Sequence, residues 1–160
     1  MKQAWFLPDA AATGRLGVAL AHAQPGPAVV FLHGDLGAGK SSLARAMLHA
    51  LGVIGPVKSP TYTLVERYAL AQGDALHLDL YRIAASSELE FLGLDDGAAC
   101  TRLWLVEWPD RGAGALPPPD LHVLLNHVAQ GRQVELDSAS ELGKLWIERL
   151  NKIMGPGCVA

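Results

Sequence analysis

Apolar and polar positions along the chain divide it into short strands and helical stretches in alternation. An alanine-rich stretch, Ala10 to Ala23, follows Leu7-Pro8-Asp9 and predicts a helix, with Asp9 as its N-cap and Gln24-Pro25-Gly26-Pro27 as its stop. Ala28 to Leu32 is a continuous apolar run of the kind found in a buried parallel strand. From Lys40 to Leu51, residues Leu43, Ala44, Met47, Leu48 and Leu51 fall at helical spacing, and Gly52 ends the stretch. Thr63 to Tyr68 reads as a strand. Asp74 to Tyr81 alternates, with Leu76, Leu78 and Leu80 on one face and His77, Asp79 and Tyr81 on the other, which predicts a half-buried strand with a polar face. Ser87-x-x-Glu90 reads as a capping box for a short helix. Arg102 to Trp108 is apolar and carries Glu107 at its carboxyl end, as a central strand would. Pro117-Pro118-Pro119 is a stiff connection, and Leu121 to Val128 with Gln133 to Leu136 predicts a hairpin around Gln130-Gly131. A second box, Ser138-x-x-Glu141, opens a terminal helix with Leu142, Leu145, Trp146, Leu150 and Ile153 inward and Gly155 at its end. This order of elements implies a compact α/β domain with a mixed sheet.

Between the first strand and the second helix stands Gly34-Asp35-Leu36-Gly37-Ala38-Gly39-Lys40-Ser41, which fits G-x-x-x-x-G-K-[ST]. Glycines let backbone N–H groups turn inward around phosphate oxygens. Lys40 is placed to reach β- and γ-phosphates, and the Ser41 hydroxyl to ligate Mg²⁺. The preceding strand and following helix are the context the motif needs, and the helix N-terminus adds its partial positive charge. The fold class expected is therefore P-loop NTPase-like, with a mixed, mainly parallel sheet flanked by helices. The expectation is one domain over residues 1–154 and a flexible tail over 155–160.

Composition narrows the partners. Half of the 160 residues are hydrophobic, so the chain can bury a real core. A net charge of −3 argues against a broad nucleic-acid-binding surface. Two cysteines, Cys100 and Cys158, make no disulfide framework. With no cationic leader and no long apolar span, a soluble cytoplasmic protein without membrane contact is expected.

A phosphate loop needs a carboxylate near Mg²⁺, usually at the end of a neighbouring apolar strand. Glu107 suits that role; a turn carboxylate before Pro109 is the plainer reading. Asp79 suits orienting the attacking water, holding a metal-bound water or acting as base, unless it merely pairs with Arg82. Ser59, Thr61 and Thr63 lie where a switch segment follows the loop helix, and a hydroxyl there would sense the γ-phosphate; a Ser/Thr turn explains them equally well. Arg132, beside Gly131, is either a nucleotide neighbour or a solvated hairpin residue. His77 reads as hydrogen-bonded structure, and Trp108 as an interaction residue or a strand-end core aromatic. No N-K-x-D motif selects GTP.

Taken together, Gly34 to Ser41, Ser59-Pro60-Thr61-Tyr62-Thr63-Leu64-Val65-Glu66, His77-Leu78-Asp79-Leu80-Tyr81-Arg82, Glu90-Phe91-Leu92-Gly93-Leu94 and Leu105-Val106-Glu107-Trp108-Pro109 resemble the bacterial TsaE family of ATPases, also called YjeE. Leu7-Pro8-Asp9 and Ala129-Gln130-Gly131-Arg132 fit the same pattern. The resemblance implies an ATPase subunit needed to make threonylcarbamoyladenosine in tRNAs that read ANN codons. Its partners would be TsaB and TsaD, with tRNA reached through them. By the same resemblance, Gly37, Ala38, Gly39, Lys40, Ser41 and Ser42 bind ATP, and Ser41 and Glu107 ligate Mg²⁺. Asp79 supports hydrolysis, and Arg132 with Asp9 and Ala10 approaches the nucleotide. The family usually has Thr where Ser41 stands, and Ser keeps the hydroxyl. A small-molecule kinase and a non-hydrolysing nucleotide-dependent binding module are the competing functional classes.

Overall fold

The computed structural model describes residues 1–94 and 100–157. Its strands are β1 (Lys2–Leu7), β2 (Ala28–His33), β3 (Val65–Leu70), β4 (Gly73–Asp79), β5 (Thr101–Glu107), β6 (Leu121–Val128) and β7 (Gly131–Ser138). Its α-helices are α1 (Ala10–Ala23), α2 (Lys40–Ala50) and α3 (Glu141–Met154). The strands form one sheet in the order β1-β7-β6-β2-β5-β4-β3. The pairings β6–β2, β2–β5 and β5–β4 are parallel, whereas β7 and β3 run against their neighbours. The result is the mixed, mainly parallel sheet flanked by helices that the sequence predicts.

The three helices pack on one face of the sheet. Asp9 caps α1 by accepting from the Ala12 N–H at 2.7 Å. At Gly17 the first helix closes onto α2 so tightly that a Cβ would sit 2.7 Å from the Ala46 Cβ. Trp146 of α3 is fully buried and donates its indole N–H to the Leu20 carbonyl at 2.8 Å, tying α3 to α1. A second, smaller apolar cluster, including Leu76, Leu78, Ile83 and Val106, covers the opposite face over β4 and β5.

Several expectations shift. Strand β1 has no counterpart in the sequence pattern; it is an outer strand zipped antiparallel to β7. The strand expected from Thr63 starts at Val65, because Leu64 takes a left-handed φ of 66°. The polar face of β4 does not meet solvent: His77 and Asp79 are both buried, turned toward the phosphate loop. Neither capping box forms in the expected register. The 3₁₀ helix over Ser86–Leu92 is capped by Glu88, which accepts from the Ala84 and Ala85 N–H groups. Ser138 ends β7, and Ser140 caps α3 by accepting from the Gly143 N–H at 3.1 Å. The face of α3 that packs on the core carries Gly143, Trp146, Ile147 and Leu150, which leaves Leu145 and Ile153 exposed. Beyond α3, the Gly155 carbonyl accepts from the Trp5 indole at 3.4 Å. Residues 158–160 of the expected tail, with Cys158, lie outside the described residues. Among the described residues, no helix is long and apolar enough to cross a membrane.

Candidate functional site

Strand β2 ends at His33, and the chain turns through Gly34 to Gly39 into α2. Gly34 and Gly39 have φ of 133° and 112°, values a side chain strongly resists, and a Cβ on Gly34 would collide with the Leu125 carbonyl. The loop is thus shaped by backbone freedom at its entry and at the N-cap of α2.

The loop borders a cleft of about 200 Å³, walled by the carboxyl ends of the neighbouring strands. Parallel register sets Asp79 of β4 opposite Glu107 of β5, and β5 in turn pairs with β2. Both carboxylates therefore face the loop. Ser41 donates its hydroxyl to the two Glu107 oxygens at 2.9 and 3.1 Å. His77 Nε2 lies 2.8 Å from Glu107 Oε1, with both side chains buried. Asp79 accepts from the Tyr81 N–H at 3.0 Å and from the Thr61 hydroxyl at 3.2 Å, and Thr61 is itself 2.8 Å from the Ser59 hydroxyl. Arg82, the rival partner for Asp79, lies instead over the Tyr62 ring at 4.6 Å.

Lys40 is only 4% exposed and donates to the Gly34 and Asp35 carbonyls at 2.6 and 2.9 Å. Its Nζ sits 4.5 Å from the Trp108 ring centroid. Burial pushes its pKa below the ordinary lysine value, while Glu107, then Asp79 and Asp35, pull it back up. Trp108 has a φ of 57°, an uncommon conformation for a residue with a large side chain, placed where β5 leaves the sheet. Tyr81 packs against it with ring centroids 5.0 Å apart and the planes tilted by 51°.

Of the residues singled out by sequence, Gly37, Gly39, Lys40, Ser41, Ser42, Thr61, Asp79, Glu107 and Arg132 all border this cleft. Ala38 is fully buried behind the loop. Arg132, at the start of β7, lies against Gly39 and donates to the Thr13 hydroxyl at 3.2 Å; its Nε is buried without a partner among the described residues. Asp9 spends its carboxylate on the α1 cap and Ala10 is exposed; neither borders the cleft. Thr63 is turned away and donates to Glu66 at 2.9 Å. Tyr81 also borders the cleft, and His77, expected only as hydrogen-bonded structure, sits against Glu107. The alternation that put Tyr81, His77 and Asp79 on one face was the available signal. His127, whose Nε2 lies 3.0 Å from the Gly37 carbonyl, carried none.

The donor set suits Mg²⁺. A hydroxyl and a carboxylate converge, both hard oxygen ligands, in a cleft shared with a phosphate loop. Among the described residues no group of three or more His, Cys, Asp and Glu forms a cage for a metal. Mg²⁺ does not need one: it typically takes one or two carboxylates and completes its shell with phosphate oxygens and water.

Comparison with known proteins places residues 7–134 in a match to the family described as "Threonylcarbamoyl adenosine biosynthesis protein TsaE". The chain is 47% identical over 116 residues to the tRNA threonylcarbamoyladenosine biosynthesis protein TsaE of Haemophilus influenzae, covering 72% of this chain and 73% of that one. It is 31% identical over 133 residues to the protein of the same name from Bacillus subtilis, with 82% of each chain covered. The crystal structure of Bacillus subtilis YdiB superposes with a TM-score of 0.79 over 96% of both chains at 23% identity, a likeness of fold.

Proposed function

The chain belongs to the TsaE family, and from that premise we propose that it is a Mg²⁺-dependent ATPase subunit for the threonylcarbamoyladenosine modification of ANN-decoding tRNAs. It would act in the cytoplasm, bind the TsaB–TsaD pair and hydrolyse ATP to support their turnover, with tRNA held mainly by those partners. The observation that carries the reading is the convergence of Lys40 and Ser41 with Asp79 and Glu107 at the ends of adjacent parallel strands.

Each group has a distinct task in this reading. The loop amides and the N-terminus of α2 bind phosphate oxygens. Lys40 sets a fixed positive charge beside the β- and γ-phosphates. Ser41 and Glu107 would hold Mg²⁺, which when bound neutralises charge on the phosphate oxygens. Asp79, its carboxylate fixed by Tyr81 and Thr61, holds the attacking water or accepts its proton. Thr61 and Ser59 tie that carboxylate to the preceding segment, so a change in the segment would be felt at Asp79. Arg132 borders the cleft beside Gly39, where it would approach the nucleotide, and the α1 N-terminus containing Asp9 and Ala10 is joined to it through Thr13.

The test is phosphate release from ATP by the purified chain without any acceptor, with Mg²⁺ and with a chelator. The expected result is slow release that requires Mg²⁺. Tight ATP binding with no release, alone or with TsaB–TsaD, would favour a non-hydrolysing module. Release only on adding an acceptor would favour a kinase.

A further inference from the structure

His77 is buried beside Glu107, and nothing in the proposed chemistry uses it. It stands on β4 two residues before Asp79, and only 1% of it is exposed. Its Nε2 is 2.8 Å from Glu107 Oε1, and its Nδ1 is buried without a partner among the described residues. Those two facts assign the tautomer. An ionised carboxylate only accepts hydrogen bonds, so the ring proton belongs on Nε2. Nδ1 is then a bare acceptor, which is easier to leave unpaired in a protein interior than an N–H donor.

The consequence falls on Glu107. With Ser41 shared between both of its oxygens and His77 on Oε1, the carboxylate has little torsional freedom. Oε2 carries no imidazole contact and lies 3.1 Å from the Ser41 hydroxyl, so it is the carboxylate oxygen free to turn to a cation beside Ser41. We propose that His77 is a positioning residue for the metal-binding half of the site: its Nε2–H holds the Glu107 carboxylate so that Oε2 and the Ser41 hydroxyl are presented together to a divalent cation. This rests on the reading of Ser41 and Glu107 as the Mg²⁺ ligands. A partner that orients a metal ligand in this way typically contributes 10–100-fold to metal affinity. A histidine serving only to fill the core would contribute to stability and leave metal affinity alone.

The test uses the full chain with ADP and Mn²⁺, reading bound metal by electron paramagnetic resonance. His77→Leu keeps much of the volume and removes the donor; His77→Gln restores an N–H at similar reach. The expected result is Mn²⁺ affinity in the ADP complex weakened by about 10–100-fold in His77→Leu and largely recovered in His77→Gln. ADP affinity in chelator should stay near wild type in both. Wild-type Mn²⁺ affinity in a folded His77→Leu protein overturns the proposal. Glu107→Gln, measured alongside, separates the two levels. If Glu107→Gln weakens Mn²⁺ and His77→Leu does not, only the positioning role falls. If Glu107→Gln has no effect, the assignment of Glu107 as a ligand falls and takes the positioning role with it. Should His77→Leu not fold, ¹⁵N spectra of the wild-type imidazole decide. A proton on Nε2 whose signal shifts on adding Mg²⁺ and ADP supports the proposal; a proton on Nδ1 with Nε2 bare overturns it.

Discussion

At the scale of single residues, the site concentrates buried charge within one cleft, and its behaviour follows from how each charge is held. Lys40 is desolvated and its pKa lowered, chiefly by burial. A lysine that holds its proton less tightly when folded costs stability while it stays charged, and that cost is relieved as pH rises from its lowered pKa toward 10.5. Phosphate oxygens favour the charged form and reverse the shift. Nucleotide binding should therefore take up protons in that alkaline window, and affinity should fall as pH rises through it. Calorimetry in buffers of different ionisation enthalpy reads the uptake directly. Lys40→Ala should abolish it and reduce ATP turnover by orders of magnitude in a folded protein; unchanged turnover would sink the phosphate-loop reading. The two carboxylates should separate by kinetics. Glu107→Ala should raise the Mg²⁺ concentration needed for half-maximal activity, because it leaves Ser41 alone on the metal side. Asp79→Ala should lower kcat by about 10²–10⁴-fold, the usual range for a positioned acid or base, with little change in ATP affinity. Loss of binding alone in both variants would contradict this division.

At the scale of elements, the centre of the sheet was legible and its margins were not. Val30 and Leu32 with the glycine loop, and Leu103 to Glu107, announce β2 and β5 because central parallel strands are buried on both faces and read as continuous apolar runs. The same pattern put Glu107 at a strand end beside the loop. The β6–β7 hairpin was legible from its turn at Gly131. What sequence could not show is what each face meets. The alternation in β4 reads as a solvent-facing polar side, yet His77 and Asp79 are buried, because that side looks onto the loop rather than onto water. Strand β1 is six residues long and depends on β7 for its pairing, so it leaves little local trace. In α3 the buried stripe of Gly143, Trp146, Ile147 and Leu150 lies about a fifth of a turn round from the expected one, which is why Leu145 and Ile153 were misplaced while Trp146 and Leu150, common to both stripes, were not. Trp146 itself gives a test of how α3 is held. It is fully buried against α1, so Trp146→Ala should cost about 3–5 kcal/mol of stability, read by denaturant unfolding. A loss below about 1 kcal/mol would mean that α3 is not part of the cooperative core.

At the scale of the whole molecule, one sheet edge carries the chemistry and the rest holds it in place. The parallel strands β2, β5 and β4 bring their carboxyl ends to one side, where ligands of open α/β sheets bind. The cations bordering that cleft are Lys40 and Arg132, and Arg132 is anchored beside Gly39 by its hydrogen bond to Thr13. Arg82 and Arg111 are engaged elsewhere, over the rings of Tyr62 and Tyr81. A phosphate-loop site without a freely placed arginine should turn ATP over slowly, since such a charge is worth about 10³–10⁵ in rate whether supplied in cis or in trans. Two features suggest where a partner would act. Ser59 and Thr61 reach Asp79 through hydroxyls, so ordering that segment would fix the carboxylate. Leu36 and Tyr62, 63% and 82% exposed, stand beside the cleft residues Gly37 and Thr61, apolar surface that a partner would cover. The expected outcome is weak phosphate release by the isolated chain and a rise when TsaB–TsaD is added at fixed ATP and salt. A rise approaching 10³-fold would point to an arginine supplied by the partner, and a smaller one to ordering of the Ser59–Thr61 segment. Substituting Tyr62 by Ala should then reduce the response to the partners more than the basal rate. Fast turnover by the isolated chain, indifferent to the partners, would refute the model of a regulated subunit and return the protein to the class of free-standing hydrolases or kinases.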